Sequence, residues 1–363
     1  MAIHRLASRG RSIVRMLAVL GTTGLLCGPS AAQRANDAAG TNSAGLTAQS
    51  LVDLPSLLRD KLPQARALLV VRKDCPIFEY YQAGFGADTP LRVNSITKSV
   101  LSILIGIAID KHLLGLDQKL ADLAPEVSQY DIDARVREIS VRNLLTMTSG
   151  FELAGVVHSG IPITPKGVWR EILNRPIAHG AGSQFLYDDQ GANLLSDLLA
   201  GQTNQDEEHF AKTYLLDPMG ITNYDWPSDP EGHLMGDGGL YLTLRDMGKL
   251  GLLYLHRGRW RGAQLVSEAY VDDSTTEHSA GGPPARAAYG YLWWVGKTKT
   301  GLDAFFAAGF GGQLIYVVPK LDLVVALASQ SHVPRGSVNF VNDIVLPAAA
   351  ATPDAPKCES ALQ

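Results

Sequence analysis

The stretch from Ile96 to Ile109, opened by Ser95, is apolar on nearly all sides. A helix with no polar face belongs in an interior rather than on a surface. It is also too short and too interrupted to cross a bilayer, which takes about 20 apolar residues. A helix of this kind needs other layers around it. The 363 residues, 46% hydrophobic and 19% charged, suffice for one large domain or two small ones. A chain of this size buries a sizeable core without staples.

Strand signals lie on both sides of that helix in the sequence. Leu68-Leu69-Val70-Val71 and Ile77-Phe78-Glu79-Tyr80-Tyr81 flank Lys73-Asp74-Cys75-Pro76, which reads as a hairpin. Far downstream, Gly238-Gly239 leads into a short strand at Tyr241-Leu242, and Arg245 to His256 has helical spacing. Tyr289 to Val295, Gln313 to Val318 and Leu323 to Ala328 read as antiparallel strands, and Ser337 to Leu346 as a closing helix. The middle, about residues 110 to 230, is helix-rich. The expected fold class is α+β: one antiparallel sheet drawn from both ends, flanked by helices, with an adjoining helical insertion. Residues 33–50 read as a flexible lead-in, 51–348 as the folded domain and 349–363 as a tail.

The N-terminus has a different character. Arg5, Arg9, Arg11 and Arg15 precede a short apolar stretch from Met16 to Cys27, and Ser30-Ala31-Ala32 forms a small-residue cleavage site. Residues 1–32 are expected to be a secretory signal peptide, giving a periplasmic or secreted protein with no stable membrane insertion after its removal. Two cysteines then remain, Cys75 and Cys358, either joined in an oxidising compartment or left as thiols. The net charge of -4 gives no reason to expect nucleic acid as a partner.

Ser95-Ile96-Thr97-Lys98 places a hydroxyl and an amine three residues apart on one helix face. A serine hydroxyl is a poor nucleophile unless a base and an oxyanion site stand beside it. Burial along the apolar helix is expected to lower the Lys98 pKa, and the helix N-terminus to favour an alkoxide at Ser95. Spacing alone also fits a helix-capping serine followed by a solvated lysine. Other chemistries find less support. The sequence has no Gly-x-Ser-x-Gly elbow, no His-Glu-x-x-His, and no complete phosphate or dinucleotide loop.

Several further segments, in order, complete a pattern. They are Val141-Arg142-Asn143-Leu144-Leu145-Thr146-Met147-Thr148-Ser149-Gly150, Phe185-Leu186-Tyr187, Asp217-Pro218-Met219-Gly220-Ile221, Tyr289 to Trp294 and Gly309-Phe310-Gly311-Gly312-Gln313. Together with Ser95-x-x-Lys98 they resemble the serine β-lactamase-related hydrolases, which span class C β-lactamases, D-amino acid peptidases, esterases and 6-aminohexanoate-dimer hydrolases. The resemblance covers roughly residues 65 to 330 and implies a β-lactamase/transpeptidase-like fold. It also implies that Ser95 attacks a carbonyl, that Lys98 and Tyr187 share the base role, and that the backbone N–H groups of Ser95 and Phe310 form the oxyanion hole. No metal or cofactor is implied.

Two departures from the family stand out. Its Tyr-x-Asn is Tyr187-Asp188-Asp189 here, and an ionised Asp189 cannot donate to a substrate as an amide does. Its Lys-Thr-Gly strand is Ala307-Ala308-Gly309, whereas Lys299-Thr300-Gly301 lies upstream in an expected turn. The cation that would hold a β-lactam carboxylate is then missing. Gly309, Asp189, Trp226 and Tyr241 are candidate substrate contacts, and Trp293 and Trp294 are further aromatic candidates for shaping the pocket, although each such aromatic is more often a core residue. The reading is a hydrolase of small carboxylic esters or amides. Its rivals are a true β-lactamase or D-amino acid peptidase, and a catalytically silent ligand-binding domain.

Overall fold

The structure is a computed structural model. It describes residues 49–351 apart from 125–126, 128–130, 153–171, 204–205, 229–231, 332 and 334, together with Cys358 and Leu362. The expected signal peptide and most of the expected tail lie outside these residues.

The strands in chain order are β1 (Ala65–Arg72), β2 (Cys75–Tyr81), β3 (Leu91–Arg92), β4 (Tyr241–Leu242), β5 (Arg259–Trp260), β6 (Ala263–Gln264), β7 (Ser279–Gly282), β8 (Ala287–Tyr289), β9 (Trp294–Lys297), β10 (Asp303–Gly309), β11 (Gln313–Val318) and β12 (Leu323–Ser329). Eight of them form one sheet in the order β2-β1-β12-β11-β10-β9-β8-β7. The central pair joins the two ends of the domain: Val71 faces Val324, and Leu69 faces Ala326. The expected early hairpin is β1–β2, and the strands expected at residues 313–318 and 323–328 are β11 and β12. The stretch expected as one strand from Tyr289 to Val295 is instead the end of β8, a turn and the start of β9. Leu292 adopts a left-handed φ of 56° in that turn, which a continuous strand could not hold.

Strands β11 and β12 are buried on both faces, as their unbroken runs of Leu, Ile, Val and Ala demand. On one face lies the Leu244–Leu255 helix. Its glycines allow very close approach: a Cβ at Gly251 would stand 2.4 Å from Val324, and one at Gly248 2.7 Å from Leu69. On the other face, Asn342 of the C-terminal helical segment donates to the Tyr316 hydroxyl at 3.3 Å. Each fully buried Leu or Val contributes about 1.5–3 kcal/mol, so this layer is the stable frame. Cys75 and Cys358 form a disulfide that fastens the far end of the chain to β2.

The Ile96–Asp110 helix is buried from Ile96 to Ala108, as its all-round apolarity requires. It packs between the sheet and the helical region, where the Asp189–Thr203 helix meets it. Among the described residues no helix is long and apolar enough to cross a membrane.

Candidate active site

The nucleophile candidate sits at a junction. Strand β3 pairs with β4, and the Val93 N–H extends that pairing by donating to the Leu240 carbonyl at 2.9 Å. Asn94 then takes a left-handed φ of 50°, a conformation asparagine tolerates better than most residues. The helix begins directly after Ser95. The Ser95 hydroxyl does not cap it. The first-turn amides of Ile96 and Thr97 donate to the Val93 and Asn94 carbonyls instead, at 3.2 and 3.0 Å. The serine oxygen is thereby left for other partners.

One of them is Lys98, whose Nζ donates to Ser95 Oγ at 3.2 Å. The side chain of Lys98 is 1% exposed. The same Nζ donates to the Asp237 carbonyl oxygen at 2.6 Å and pairs with Asp189 Oδ1 at 2.7 Å. An ammonium has three protons, and three acceptors surround this one. Burial pushes the Lys98 pKa down and is the largest single influence, but the charges of Tyr187, Asp189 and Asp237 with the Asp189 hydrogen bond outweigh it. The net direction is upward from the ordinary lysine value. This corrects the expectation that burial alone lowers it. Apolar packing along the helix suggested desolvation, but acids on other elements reach the amine.

Asp188 and Asp189, adjacent in sequence, do different things. The buried Asp188 carboxylate accepts from Arg175 at 2.8 and 3.0 Å, and Arg175 also donates to the Glu152 carbonyl at 2.6 Å. That pair holds the loop before the Asp189–Thr203 helix. Asp189, 48% exposed, turns to Lys98. Asp237 was not anticipated, because its contact with Lys98 is made by a backbone carbonyl that no side-chain motif encodes. Its N–H donates to Asn193 Oδ1 at 3.0 Å, one turn along from Asp189, which fixes the loop. Burial, followed by the neighbouring Asp189 charge, pushes the Asp237 carboxyl pKa up against the opposing pull of Lys98.

Tyr187 enters from the loop preceding that helix. Its ring lies 5.1 Å from Lys98 Nζ and stacks on Trp294 with centroids 5.7 Å apart. The Val141–Gly150 segment positions it. Met147 takes a left-handed φ of 56°, and its carbonyl accepts from the Leu186 N–H at 2.8 Å. Leu145 also accepts from the Leu292 N–H at 2.9 Å, so this one turn aligns the tyrosine with the strand that carries Trp294.

The opposite wall is the end of β10. A Cβ on Gly309 would lie 2.2 Å from the Val93 carbonyl oxygen, so glycine is what lets this strand approach the chain before Ser95. Asn94 Nδ2 donates to the Phe310 carbonyl at 2.6 Å and ties the two segments together. The Phe310 ring is exposed at the rim. Lys299 lies in the β9–β10 turn, away from this wall, and pairs with Asp343.

The aromatic candidates separate. Tyr241 is half-buried on β4 opposite Arg92. Trp226 is a core residue rather than a site wall: it is buried, and its Nε1 donates to the Met235 carbonyl at 3.0 Å. Trp293 is also buried, stacked on Tyr254. Trp294 supports Tyr187 from behind.

The model of the family described as Beta-lactamase matches residues 63–350. The chain belongs to the beta-lactamase family. Within it, the chain is 23% identical over 307 residues to the 6-aminohexanoate-dimer hydrolase of Paenarthrobacter ureafaciens, covering 78% of this chain and 76% of that protein. Solved structures share its fold. The octameric penicillin-binding protein homologue from Pyrococcus abyssi superposes with a TM-score of 0.65 at 20% identity, over 82% of this chain and 77% of that one. A hydrolase with promiscuous acyltransferase activity superposes with a TM-score of 0.68 at 14% identity, over 83% and 97%. The beta-lactamase fold expected from the motifs is thus the fold found, and the protein is a serine hydrolase.

Proposed function

We propose that this hydrolase cleaves small carboxylic esters or amides through an acyl-enzyme on Ser95. The observation that carries the assignment is the 3.2 Å contact from the buried Lys98 Nζ to an Ser95 hydroxyl that does not cap its helix.

Lys98 acts here as a retained ammonium. Its charge stabilises the alkoxide that forms as Ser95 attacks the carbonyl carbon. Tyr187, whose ring lies 5.1 Å from that ammonium, relays the proton from Ser95 to the leaving group. Water then attacks the acyl-serine, giving its proton back along the same route and releasing the acid. The backbone N–H groups of Ser95 and Phe310 hold the developing oxyanion. The name of the 6-aminohexanoate-dimer hydrolase relative supports an amide substrate, and Ala307 stands where the family's strand lysine would bind a β-lactam carboxylate. We also propose that the chain is exported. The basic and apolar N-terminus supports this, as does a disulfide suited to an oxidising compartment.

The test is intact mass after treatment with a fluorophosphonate. One adduct on the protein and none on Ser95→Ala is the expected result. Equal labelling of both would remove Ser95 from the mechanism.

A further inference from the structure

A cavity of about 530 Å³ opens between β3 and the ends of β1, β11 and β12, and neither Ser95 nor Lys98 lines it. Asn94 and Phe310 form its near wall. Asn94 immediately precedes the nucleophile, and Phe310 supplies the second oxyanion amide in the reading above. The cavity therefore borders the residue before the proposed nucleophile and the residue of the second proposed oxyanion amide.

Its chemistry is one-sided. Arg66 and Arg92 line it with Gln313, Gln330 and other amide or hydroxyl groups, and no aspartate or glutamate is among the described lining residues. Arg66 sits where the β1–β12 register shifts between Ala65 and Ala67. A bulge of this kind re-aims a side chain, and bulges are frequent next to active sites. The Arg66 guanidinium is held by the Gln82 side-chain oxygen and by Gln330 Oε1, the latter at 2.7 Å, and it covers the Phe85 ring at 5.5 Å. Its Nε is buried with no acceptor. Amide oxygens fix such a group without cancelling its charge. Arg92 is exposed on β3 and makes no ion pair among the described residues. The other arginines near the sheet differ: Arg245, for example, is spent on Glu79 at 2.8 Å.

A guanidinium carries its charge at any physiological pH and matches a carboxylate with two parallel N–H bonds. Two uncompensated ones facing an open cavity form a site for an anion. We propose that this cavity is a carboxylate subsite, so that the preferred substrates are esters or amides bearing a second, free carboxylate on the acyl or the leaving group. The proposal rests on Ser95 as nucleophile for its orientation. It replaces the missing strand cation with arginines on a different wall.

Two matched ester pairs test it. The first is para-nitrophenyl butyrate against mono-para-nitrophenyl glutarate, which places the charge on the acyl side. The second is phenyl acetate against 4-acetoxybenzoate, which places it on the leaving group. The expected result is a kcat/KM ratio favouring the charged member of one pair by roughly tenfold, and a ratio that falls about fivefold or more in Arg92→Ala. The pair that responds identifies the side. No preference in either pair, or the same ratio in Arg92→Ala, would overturn the subsite. Arg92 is chosen because it is exposed, whereas replacing Arg66 disturbs the sheet.

A binding measurement separates this idea from the catalytic one. Ser95→Ala protein titrated with glutarate by calorimetry should bind it, and adding Arg92→Ala should weaken binding roughly tenfold. Arg92-dependent binding without any ester turnover would sink the catalytic reading and keep the subsite. Absence of glutarate binding, or binding indifferent to Arg92, would sink the subsite.

Discussion

Two regions around the Ser95 segment treat positive charge in opposite ways. In one, Lys98 is buried, and its three donor positions are taken by Ser95, the Asp237 carbonyl and Asp189. In the other, Arg66 and Arg92 line an open cavity, and neither has a carboxylate partner among the described residues. The difference shows how one fold can hold cations for two purposes. A buried charge enclosed by acids acts only on the atom it touches, because its field is cancelled locally. A cation held by amides, or by nothing, keeps its field for whatever enters.

The sharpest way to break that comparison is to delete the enclosed charge. Lys98→Met keeps the length and removes the ammonium. It should lower kcat/KM for any turned-over ester by about 10³-fold, the range typical of losing a positioned group that stabilises the developing oxyanion. Steady-state kinetics with far-UV circular dichroism checks this. A folded Lys98→Met within tenfold of the parent would mean that the ammonium is dispensable and that the two regions do not differ in function.

A smaller change tunes the same charge. Asp189 raises the Lys98 pKa through its charge and its hydrogen bond. A lysine whose pKa is raised by folding stays charged through the neutral range, and contributes its stabilisation below its ordinary value of 10.5. The contribution is lost as pH rises through the folded value. Asp189→Asn removes one anion while leaving an amide oxygen to accept from Nζ, so the Lys98 pKa should fall. Activity at neutral pH should stay within about tenfold, and the alkaline limb of the kcat/KM profile should move to lower pH. The shift is kept modest because Asp189 is 48% exposed and solvent screens it. Superimposable pH profiles would show that Asp189 does not govern Lys98.

Much of this site could be read from spacing. Ser95 and Lys98 share a helix face because they are three residues apart, and the apolar run after them required burial. That one sheet draws strands from both ends of the domain was also legible, although the pairing of β1 with β12 was not. What stayed hidden arises from backbone and from distance in the chain. The Asp237 carbonyl reaches Lys98 from 139 residues away, and every residue type has a carbonyl. Gly238-Gly239 marked a turn there without saying which atom it would present. The register shift at Arg66 is likewise invisible in a run of β-formers, since a bulge depends on the partner strand. Asp189 was visible as a substitution, but whether it faced substrate or lysine required the fold. Trp226 went into the core because its one polar atom found the Met235 carbonyl, after which burial was favourable.

The smallest expected effect concerns the cation that the sequence places most temptingly. Lys299-Thr300-Gly301 has the letters of the family's strand motif, and a substrate carboxylate could be assigned to Lys299 on that ground alone. The fold puts it in the turn between β9 and β10, 64% exposed and paired with Asp343 of the C-terminal segment. The strand end that approaches the chain before Ser95 runs Ala307-Ala308-Gly309 and carries no cation. Lys299→Ala should therefore leave kcat/KM unchanged for both charged and neutral esters. An exposed ion pair is worth little, so the midpoint of thermal unfolding should move by no more than the equivalent of about 0.5 kcal/mol. The contrast with Arg92→Ala gives this null result its value, since both substitutions remove one exposed positive charge. If only the arginine change alters the preference for a carboxylate-bearing ester, the preference comes from a positioned group rather than from net charge. If both alter it equally, long-range attraction accounts for it, and the cavity loses its claim as a subsite.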